Sequence, residues 1–311
     1  MDAERAERRE RPVSNRLRYG LTGLAVFIGL LWVLVEVVPW RGKEIVVENR
    51  SLSSWLDAMA PGQSFRERRS AEKVIQRLGE RAVPDLLSMS QSRDFFLKEQ
   101  LTRLMRKQSF YQIRLEPAWI DHRRARDGFR VLGERAAEAV PDLVELLHSD
   151  DCGDAAVDCL VRIGRASVPD LIRLLGEGDQ ASRLRAARAL AEIGWDAVRA
   201  IPMLVAGLKD EDPRIRSECA STLAAIGEQP DKVIPAIAPL VNDDNPMVRV
   251  AAIEALGDFR EDSKGVLNSL FQGLWDADWY VRHAALVALT KVDEEVGMIG
   301  TNLLQRTSGR L

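Results

Sequence analysis

The chain has 311 residues and a net charge of −3, but the charge is divided unevenly along it. Residues 51–135 contain 17 Lys and Arg against 11 Asp and Glu, whereas residues 136–300 contain 16 against 29. The acidic C-terminal part would repel a phosphate backbone, which argues against nucleic-acid binding there. The three cysteines have no metal-binding or redox spacing. Cys159 and Cys219 are expected to be small buried residues, and a bridge from Cys159 to Cys152 is not expected because the turn would have to fold back.

A single apolar segment follows a short basic tail, residues 1–18. Residues 19–40 read YGLTGLAVFIGLLWVLVEVVPW and contain one charge, Glu36. About 20 residues are needed to cross the hydrocarbon core of a bilayer, and Tyr19 and Trp40 stand where aromatic rings favour the two interfaces. The pattern predicts a transmembrane signal anchor over 19–40. The alternative of a buried helix in a soluble protein is less favoured, because isolated apolar runs of this length are rare in cores.

The basic residues around this segment predict its orientation. Three follow the segment, and six precede it: Arg5, Arg8, Arg9, Arg11, Arg16 and Arg18. This bias places the N-terminus in the cytoplasm and the rest of the chain outside it. A cleaved signal peptide is the main alternative, but no small-residue cleavage site follows the apolar run directly, and the nearest Ala-x-Ala lies at 58–60.

Residues 41–64 are predicted to form a linker with a short helix, followed by a helical region over 65–311. The first part of that region, 65–135, is irregular, because residues 94–123 break the spacing found elsewhere; we expect longer Arg-rich helices that begin a stack. This part is also basic, from Arg66 to Arg130. Its arginines could contact anionic lipid headgroups beside the anchor, although solvated helix faces are the simpler interpretation.

The remaining chain repeats every 33 residues. A column of arginines has this spacing: Arg183, Arg216, Arg249 and Arg282. A column of helix N-caps keeps step with it: Asp179, Asp212, Asn245 and Asp278. Each unit has an Ala- and Leu-rich helix usually ended by Gly, a turn, and a second helix opened by Pro, as at Pro169, Pro202 and Pro235. A fixed period of this length predicts an all-α solenoid of stacked helical hairpins.

These units resemble HEAT repeats, specifically the short Ala-rich class named after phycobilisome lyases. The resemblance covers about residues 65–295 and rests on the layout VR-x-x-A-x-x-AL-x-x-IG followed by VP-x-L. The stretch RSLSSWLDAM at 50–59 is similar to the leader of membrane-anchored bacterial HEAT-repeat proteins of unassigned function. The Arg column is predicted to be structural, its guanidinium groups bonding an Asp or carbonyls of the adjacent unit.

The resemblance also raises the possibility of an enzyme, because HEAT-like proteins include some. Deoxyhypusine hydroxylase binds two irons through recurring His-Glu pairs, and none of His122, His148 and His283 is followed by Glu. Chromophore lyases belong to the same repeat class, but this chain has no distinctive motif beyond the repeats, which argues against lyase activity. DNA glycosylases need a basic groove, which the acidic units lack. No catalytic residue, metal ligand or cofactor site is therefore predicted, and no small-molecule substrate is expected.

Two surfaces are candidates for binding a protein partner. In HEAT-type stacks the second helices line the concave face, and one column there becomes apolar: Met203, Ala206, Ala236 and Pro239. These residues could form a contact patch or pack against neighbouring units. Pro239 should also bend its helix.

The second candidate surface is aromatic and lies in GLWDADWYVR near the C-terminus. Trp279 and Tyr280 directly follow the N-cap Asp278 in a turn that is usually exposed, and such rings are frequent interface anchors. For Trp275 we expect packing under the last unit. The predicted function is therefore a membrane-tethered, non-catalytic scaffold that binds protein partners on the concave face of the solenoid. The alternative is a HEAT-like enzyme or lyase-type subunit acting on a modified protein or cofactor.

Overall fold

The computed structural model describes residues 44–94, 116–259, 263–293 and 296–301. The predicted basic tail (1–18) and transmembrane anchor (19–40) lie outside these residues. Within the described ranges, no helix combines the length and the apolar character needed to span a bilayer. The residues described from Ile45 onward belong to one compact unit.

The segment predicted as a linker is packed against the helical body. Two short antiparallel strands, β1 (Val46–Val47) and β2 (Arg50–Ser51), lead into helix α1 (Leu52–Asp57). Leu52, Trp55 and Leu56 are buried in the main core. The indole Nε1 of Trp55 donates a hydrogen bond to the carbonyl of Val47 (3.1 Å). Residues 45–59 are thus part of the folded body, because α1 has enough apolar surface to be buried with it.

Helical hairpins make up the rest of the described chain. The first helices of the units are α2 (Phe65–Leu78), α4 (Ala118–Leu132), α6 (Gly153–Ile163), α8 (Gln180–Ile193), α10 (Pro213–Ile226), α12 (Pro246–Asp258) and α14 (Trp279–Val292). The second helices are α3 (Val83–Ser90), α5 (Val140–Leu146), α7 (Val168–Glu177), α9 (Ile201–Gly207), α11 (Pro230–Ile237) and α13 (Ser263–Gly273). Residues 296–301 are also helical.

Each hairpin packs on the ones before and after it. From α4 to α14, every first helix contacts the next first helix, and the second helices from α5 to α13 do the same. This is the arrangement of an α-solenoid, in which a unit buries its apolar face only against its neighbours. The stack of described residues begins with the hairpin α2–α3, which contacts α4 and α5 directly. This hairpin lies in the part predicted to be irregular, and residues 95–115, most of the segment that breaks the spacing, lie outside the described residues.

Glycines at the ends of the first helices permit the change of direction that follows. Gly133 has φ 54° and ψ −136°, a region that residues with a Cβ avoid. Gly79, Gly164 and Gly194 have similar angles, and Gly227 is in the ordinary left-handed region (φ 67°, ψ 14°). After four of these glycines the chain continues as 3₁₀ helix: Gly79–Ala82, Gly133–Ala139, Gly164–Ser167 and Gly194–Ala200. The prolines at 84, 141, 169 and 202 then stand in the first turn of the second helix.

The unit that contains α11 departs from this plan. Here Pro230, not Pro235, opens the second helix, and Pro235 lies inside it. Gln229 has a positive φ of 54°, which reverses the chain earlier than in the other units. The α-helix ends at Ile237 and a 3₁₀ helix over Ala238–Asn242 contains Pro239. Two prolines without backbone N–H groups account for this short and interrupted helix.

Candidate protein-binding surface

The arginine column forms a ladder of hydrogen bonds between consecutive units. Arg216 donates from Nε and Nη2 to the two carboxylate oxygens of Asp243 (2.8 and 2.7 Å). Arg249 does the same to Asp276 (both 2.8 Å). In each case the acceptor lies 27 residues further along, in the turn before the next first helix. Such forked pairing fixes both distance and angle, so it sets how one unit is rotated relative to the next.

Arg183, the first arginine of the column, has a variant of this arrangement. Its Nη2 donates to Asp210, while its Nε donates to the backbone carbonyl of Leu175 (2.8 Å). Arg282 donates from Nη1 to the carbonyls of Asp276 and Ala277 (both 2.8 Å). The sequence predicted bonds from this column to an adjacent unit or to carbonyls, and both kinds are found. The acceptor carboxylates, however, are those of Asp210, Asp243 and Asp276, which the sequence analysis did not single out.

These three aspartates also shape the turns between units. Each accepts a hydrogen bond from the backbone N–H two residues on, as Asp243 does from Asn245 (2.9 Å). The residue that donates this hydrogen bond is itself the N-cap of the next first helix. The side chains of Asp179, Asp212, Asn245 and Asp278 accept from the backbone of Ser182, Arg214, Met247 and Tyr280 respectively. The turn is therefore held from both sides and offers a rigid support for whatever it exposes.

The protonation state of the aspartates follows from these bonds. Burial raises the pKa of Asp243, but the hydrogen bonds from Arg216 and from the backbone of Asn245 lower it more, so the pKa ends below its usual value. The same balance lowers the pKa of Asp276 and Asp210. For Asp179, the hydrogen bond from the backbone of Ser182 and the one shared with His148 lower the pKa to about 2.

These shifts predict a loss of stability in acid. A carboxyl group whose pKa is lower in the folded chain stabilises the fold above its unfolded pKa and loses that contribution as pH falls through the folded pKa. We expect the urea midpoint to fall steadily from about pH 4 to about pH 2, the window between the ordinary pKa of 3.8 and the folded value for Asp179. Asp243→Asn should reduce the slope in this window; an unchanged slope in that variant would contradict the assignment of Asp243.

The predicted apolar column on the second helices is only partly exposed. Met203 and Ala236 are half-buried and pack against the core, whereas Ala206 and Pro239 are exposed. The end of the Met203 side chain lies over Gly176 of the preceding second helix, where an added Cβ would come within 3.3 Å of its methyl group. Two of the four residues thus contribute to packing between units, and the column presents a narrow apolar surface.

The aromatic residues before and within α14 are largely exposed. Trp279 is 58% exposed and Tyr280 is 71% exposed. Their rings meet edge to face, with centroids 5.2 Å apart, and the ring of His283 stacks on Trp279 at 5.1 Å. Trp275, which we expected to pack under the last unit, is also 58% exposed. Because Asp276 and Asp278 hold this turn, the exposed rings stand on a fixed backbone.

Two further tryptophans are exposed that were not predicted as candidate contact residues. Trp195 is the second residue of the 3₁₀ helix after α8 and is 68% exposed, and Trp119 in the first turn of α4 is 62% exposed. Neither belongs to a repeated column, so the 33-residue period did not draw attention to them. The acceptors Asp210, Asp243 and Asp276 do share that period and could have been found by extending the alignment of columns.

Many of the basic side chains in the first part of the helical body form ion pairs. Arg123 and Arg124 both pair with Asp57 of α1, and Arg77 pairs with Glu48 (3.0 Å). These arginines are therefore less available to lipid headgroups than the sequence suggested. Arg66, Arg68 and Arg69 are exposed on α2. Arg103, Arg106 and Lys107 lie outside the described residues.

The histidines and cysteines have local roles where the structure describes them. His148 bonds Asp179 of the next unit (2.5 Å), and His122 bonds the carbonyl of Ser92 (2.8 Å). All three cysteines are buried and unpaired, and burial raises the pKa of the Cys219 thiol to about 12. Among the described residues, no group of His, Cys, Asp and Glu side chains could hold a metal ion.

Comparison with known proteins identifies the units. The chain is an α-solenoid, and the family model described as HEAT repeats matches residues 168–235 and 201–290. The matched part of the chain, from α7 to most of α14, is similar to HEAT repeats. No curated protein matches the sequence.

Several solved structures are similar to this chain. An engineered protein is 20% identical, with 80% of this chain and 82% of that chain covered and a TM-score of 0.38. Human deoxyhypusine hydroxylase in complex with glycerol is 18% identical, with 78% and 97% covered and a TM-score of 0.35. Kap121p is 16% identical, with 78% of this chain but 29% of that chain covered and a TM-score of 0.47.

Proposed function

We propose that this protein is a non-catalytic HEAT-repeat scaffold that binds protein partners and is tethered to a membrane through residues 19–40. The observation that carries the binding function is the exposure of Trp275 on the turn before α14 and of Trp279 and Tyr280 in the first turn of α14. Large aromatic side chains are the usual energetic anchors of protein interfaces. A turn held by the bonds of Asp276 and Asp278 presents them with little conformational entropy left to lose on binding.

The proposed site differs from the one favoured on the second helices. Met203 and Ala236 are committed in part to packing, so the exposed apolar area of that column is small. Ala206 and Pro239 extend the binding surface only if a partner reaches the second helices. The aromatic residues are thus the main contact in this proposal, and the column is a secondary one.

The binding proposal is tested by removing the two most prominent rings. Trp279→Ala with Tyr280→Ala should lower the yield of partner proteins crosslinked in intact membranes by at least about tenfold, because anchor residues contribute about 2 kcal/mol or more. Thermal unfolding should change little, since both side chains are mostly exposed.

Trp195→Ala is the matched control, because it removes an equally exposed indole from a different turn. It should leave the yield of crosslinked partners unchanged. Equal yields from the double variant and the wild-type chain would place the contact surface elsewhere.

The membrane tether and its orientation are proposed from the apolar segment 19–40 and its flanking arginines. A reporter enzyme that is active only outside the cytoplasm, fused after Leu311, should be active. Replacing Arg8, Arg9 and Arg11 by Glu should weaken this activity by reducing the charge bias. Activity of a cytoplasm-specific reporter at the same position would overturn the orientation. The likeness to phycobilisome-lyase-type repeats and to membrane-anchored bacterial HEAT-repeat proteins stays a prediction from the sequence.

A further inference from the structure

Among the described residues, the last arginine of the column, Arg282, makes only half of the bonds that Arg216 and Arg249 make. In Arg216 and Arg249, Nη1 bonds two carbonyls of the preceding turn, and the opposite edge, Nε and Nη2, bonds a carboxylate 27 residues on. Arg282 keeps the first half of this pattern, with Nη1 bonded to the carbonyls of Asp276 and Ala277. The position 27 residues beyond it is Gly309, which has no side chain. Within the described part of the chain, the Nε–Nη2 edge of Arg282 has no acceptor.

We propose that this edge of Arg282 binds the carboxylate of an Asp or Glu residue on a protein partner. The proposal rests on the proposed function and names the chemistry that the partner supplies. Arg216 and Arg249 show what this edge binds when an acceptor is present: it donates to both oxygens of one carboxylate, at 2.7–2.8 Å. A guanidinium group held by two carbonyls is already oriented for such a forked pair, so little entropy is lost when the pair forms.

The surroundings favour an acidic residue that has apolar neighbours. Trp279 and Tyr280 lie three and two residues before Arg282 on α14, and both rings are exposed. In the preceding unit, Arg249 donates to the carboxylate of Asp276, a residue that directly follows the exposed Trp275. A partner segment with an acidic residue beside an apolar one can therefore bond Arg282 and contact the rings together.

The charge of the region argues for a polypeptide rather than a polyanion. Residues 136–300 carry 29 acidic and 16 basic side chains, so an anionic membrane surface or a nucleic acid would be repelled over a wide area. A single carboxylate on a peptide is affected less by this repulsion, because two short hydrogen bonds act on it directly.

The experiment uses the full chain in detergent and two labelled synthetic peptides. One has the sequence of residues 272–281 (QGLWDADWYV), which contains the aspartate that Arg249 binds within the fold; in the other, that aspartate is asparagine. Fluorescence anisotropy should show at least about tenfold tighter binding of the aspartate peptide, as expected for a charge-assisted pair. Arg282→Gln should abolish the preference, and Arg282→Lys, which keeps the charge without the fork, should reduce it.

Arg214→Gln is the control, because Arg214 stands at the start of α10, is largely exposed and has a loose pair with Asp212 (3.5 Å). It should leave the preference intact. Equal affinity of the two peptides for the wild-type chain, or no binding of either, overturns the proposal. Arg282-dependent binding of phosphatidylglycerol vesicles without a preference between the peptides would assign the edge to lipid and also overturn it.

A second readout separates this proposal from the proposed function. Arg282→Gln should reduce the yield of crosslinked partners, as the Trp279 and Tyr280 double variant does. If the double variant loses the partners and Arg282→Gln retains them at the wild-type yield, the scaffold function stands and the carboxylate site does not. If both variants retain them, the proposed function fails, and the peptides alone decide on Arg282.

Discussion

Replacing Arg124 by Met is expected to lower the free energy of unfolding by about 3–5 kcal/mol, the cost of breaking a buried ion pair from one side. The Arg124 side chain is 6% exposed and donates hydrogen bonds to three carboxylates. They belong to Asp57 (2.9 Å from Nε), Glu116 (2.6 Å from Nη1) and Asp121 (3.0 Å from Nη1). Burial lowers the pKa of Arg124, but the bonds to Asp57 and Glu116 raise it more, so the guanidinium stays charged. Urea unfolding followed by circular dichroism measures the change.

Arg126→Met is the matched control for this substitution. Arg126 lies on the same helix, is more exposed, and has looser pairs with Asp127 (3.8 Å) and Asp158 (3.7 Å). Such pairs contribute about 0–1 kcal/mol. If Arg124→Met and Arg126→Met lower the stability equally, the buried network does not hold α1 against α4.

This network explains why the segment after the predicted anchor is part of the body. Asp57 is the last residue of α1, and both Arg123 and Arg124 of α4 bond to it. Together with the buried Leu52 and Leu56, these bonds attach α1 to the first hairpins.

Replacing Arg249 by Ala is expected to cost about 2–3 kcal/mol, because charge-assisted hydrogen bonds are lost and Asp276 is left mostly buried without its partner. Asp276→Ala should cost a similar amount. In a double-mutant cycle, the double variant should be less destabilised than the sum of the two single variants. The measurement is again the urea midpoint, with the slope recorded for each variant.

The repeat supplies an internal comparison for this prediction. Arg216→Ala, one rung earlier, should cost about as much as Arg249→Ala, since both arginines make the same four bonds. Arg282→Ala should cost less, because Arg282 has only the two carbonyl bonds among the described residues. An equal cost at all three positions would mean that the carboxylate bonds contribute little.

Much of the fold is predictable from the sequence because its signals are local. The N-caps Asp179, Asp212, Asn245 and Asp278 bond backbone groups within three residues, so the residue type and its place before a helix are sufficient. The glycines after the first helices are predictable for a similar reason, since residues with a Cβ avoid the combination of positive φ and ψ near −130° that four of them adopt. The all-α solenoid then follows from the period, because each unit needs neighbours to bury its apolar face.

Other features depend on contacts between units that no local pattern records. From the sequence, Met203 could either meet a partner or pack against a neighbouring unit, and the structure places it on Gly176 of the preceding unit. Trp275 looked suited to packing, yet the helices around it leave its ring exposed. Pro235 matched the column of helix-opening prolines, but Pro230 comes first along the chain and begins the helix before it.

By itself, the sequence determined that the chain is built of stacked helical repeats, the 33-residue length of the regular units and the ends of most helices, because these depend on backbone preferences that each residue carries with it. Only the tertiary structure decided which carboxylate each arginine meets, that α1 belongs to the body, and that Arg282 bonds only carbonyls among the described residues. These outcomes depend on the rotation of one hairpin against the next, and that rotation results from the packing of many side chains at once.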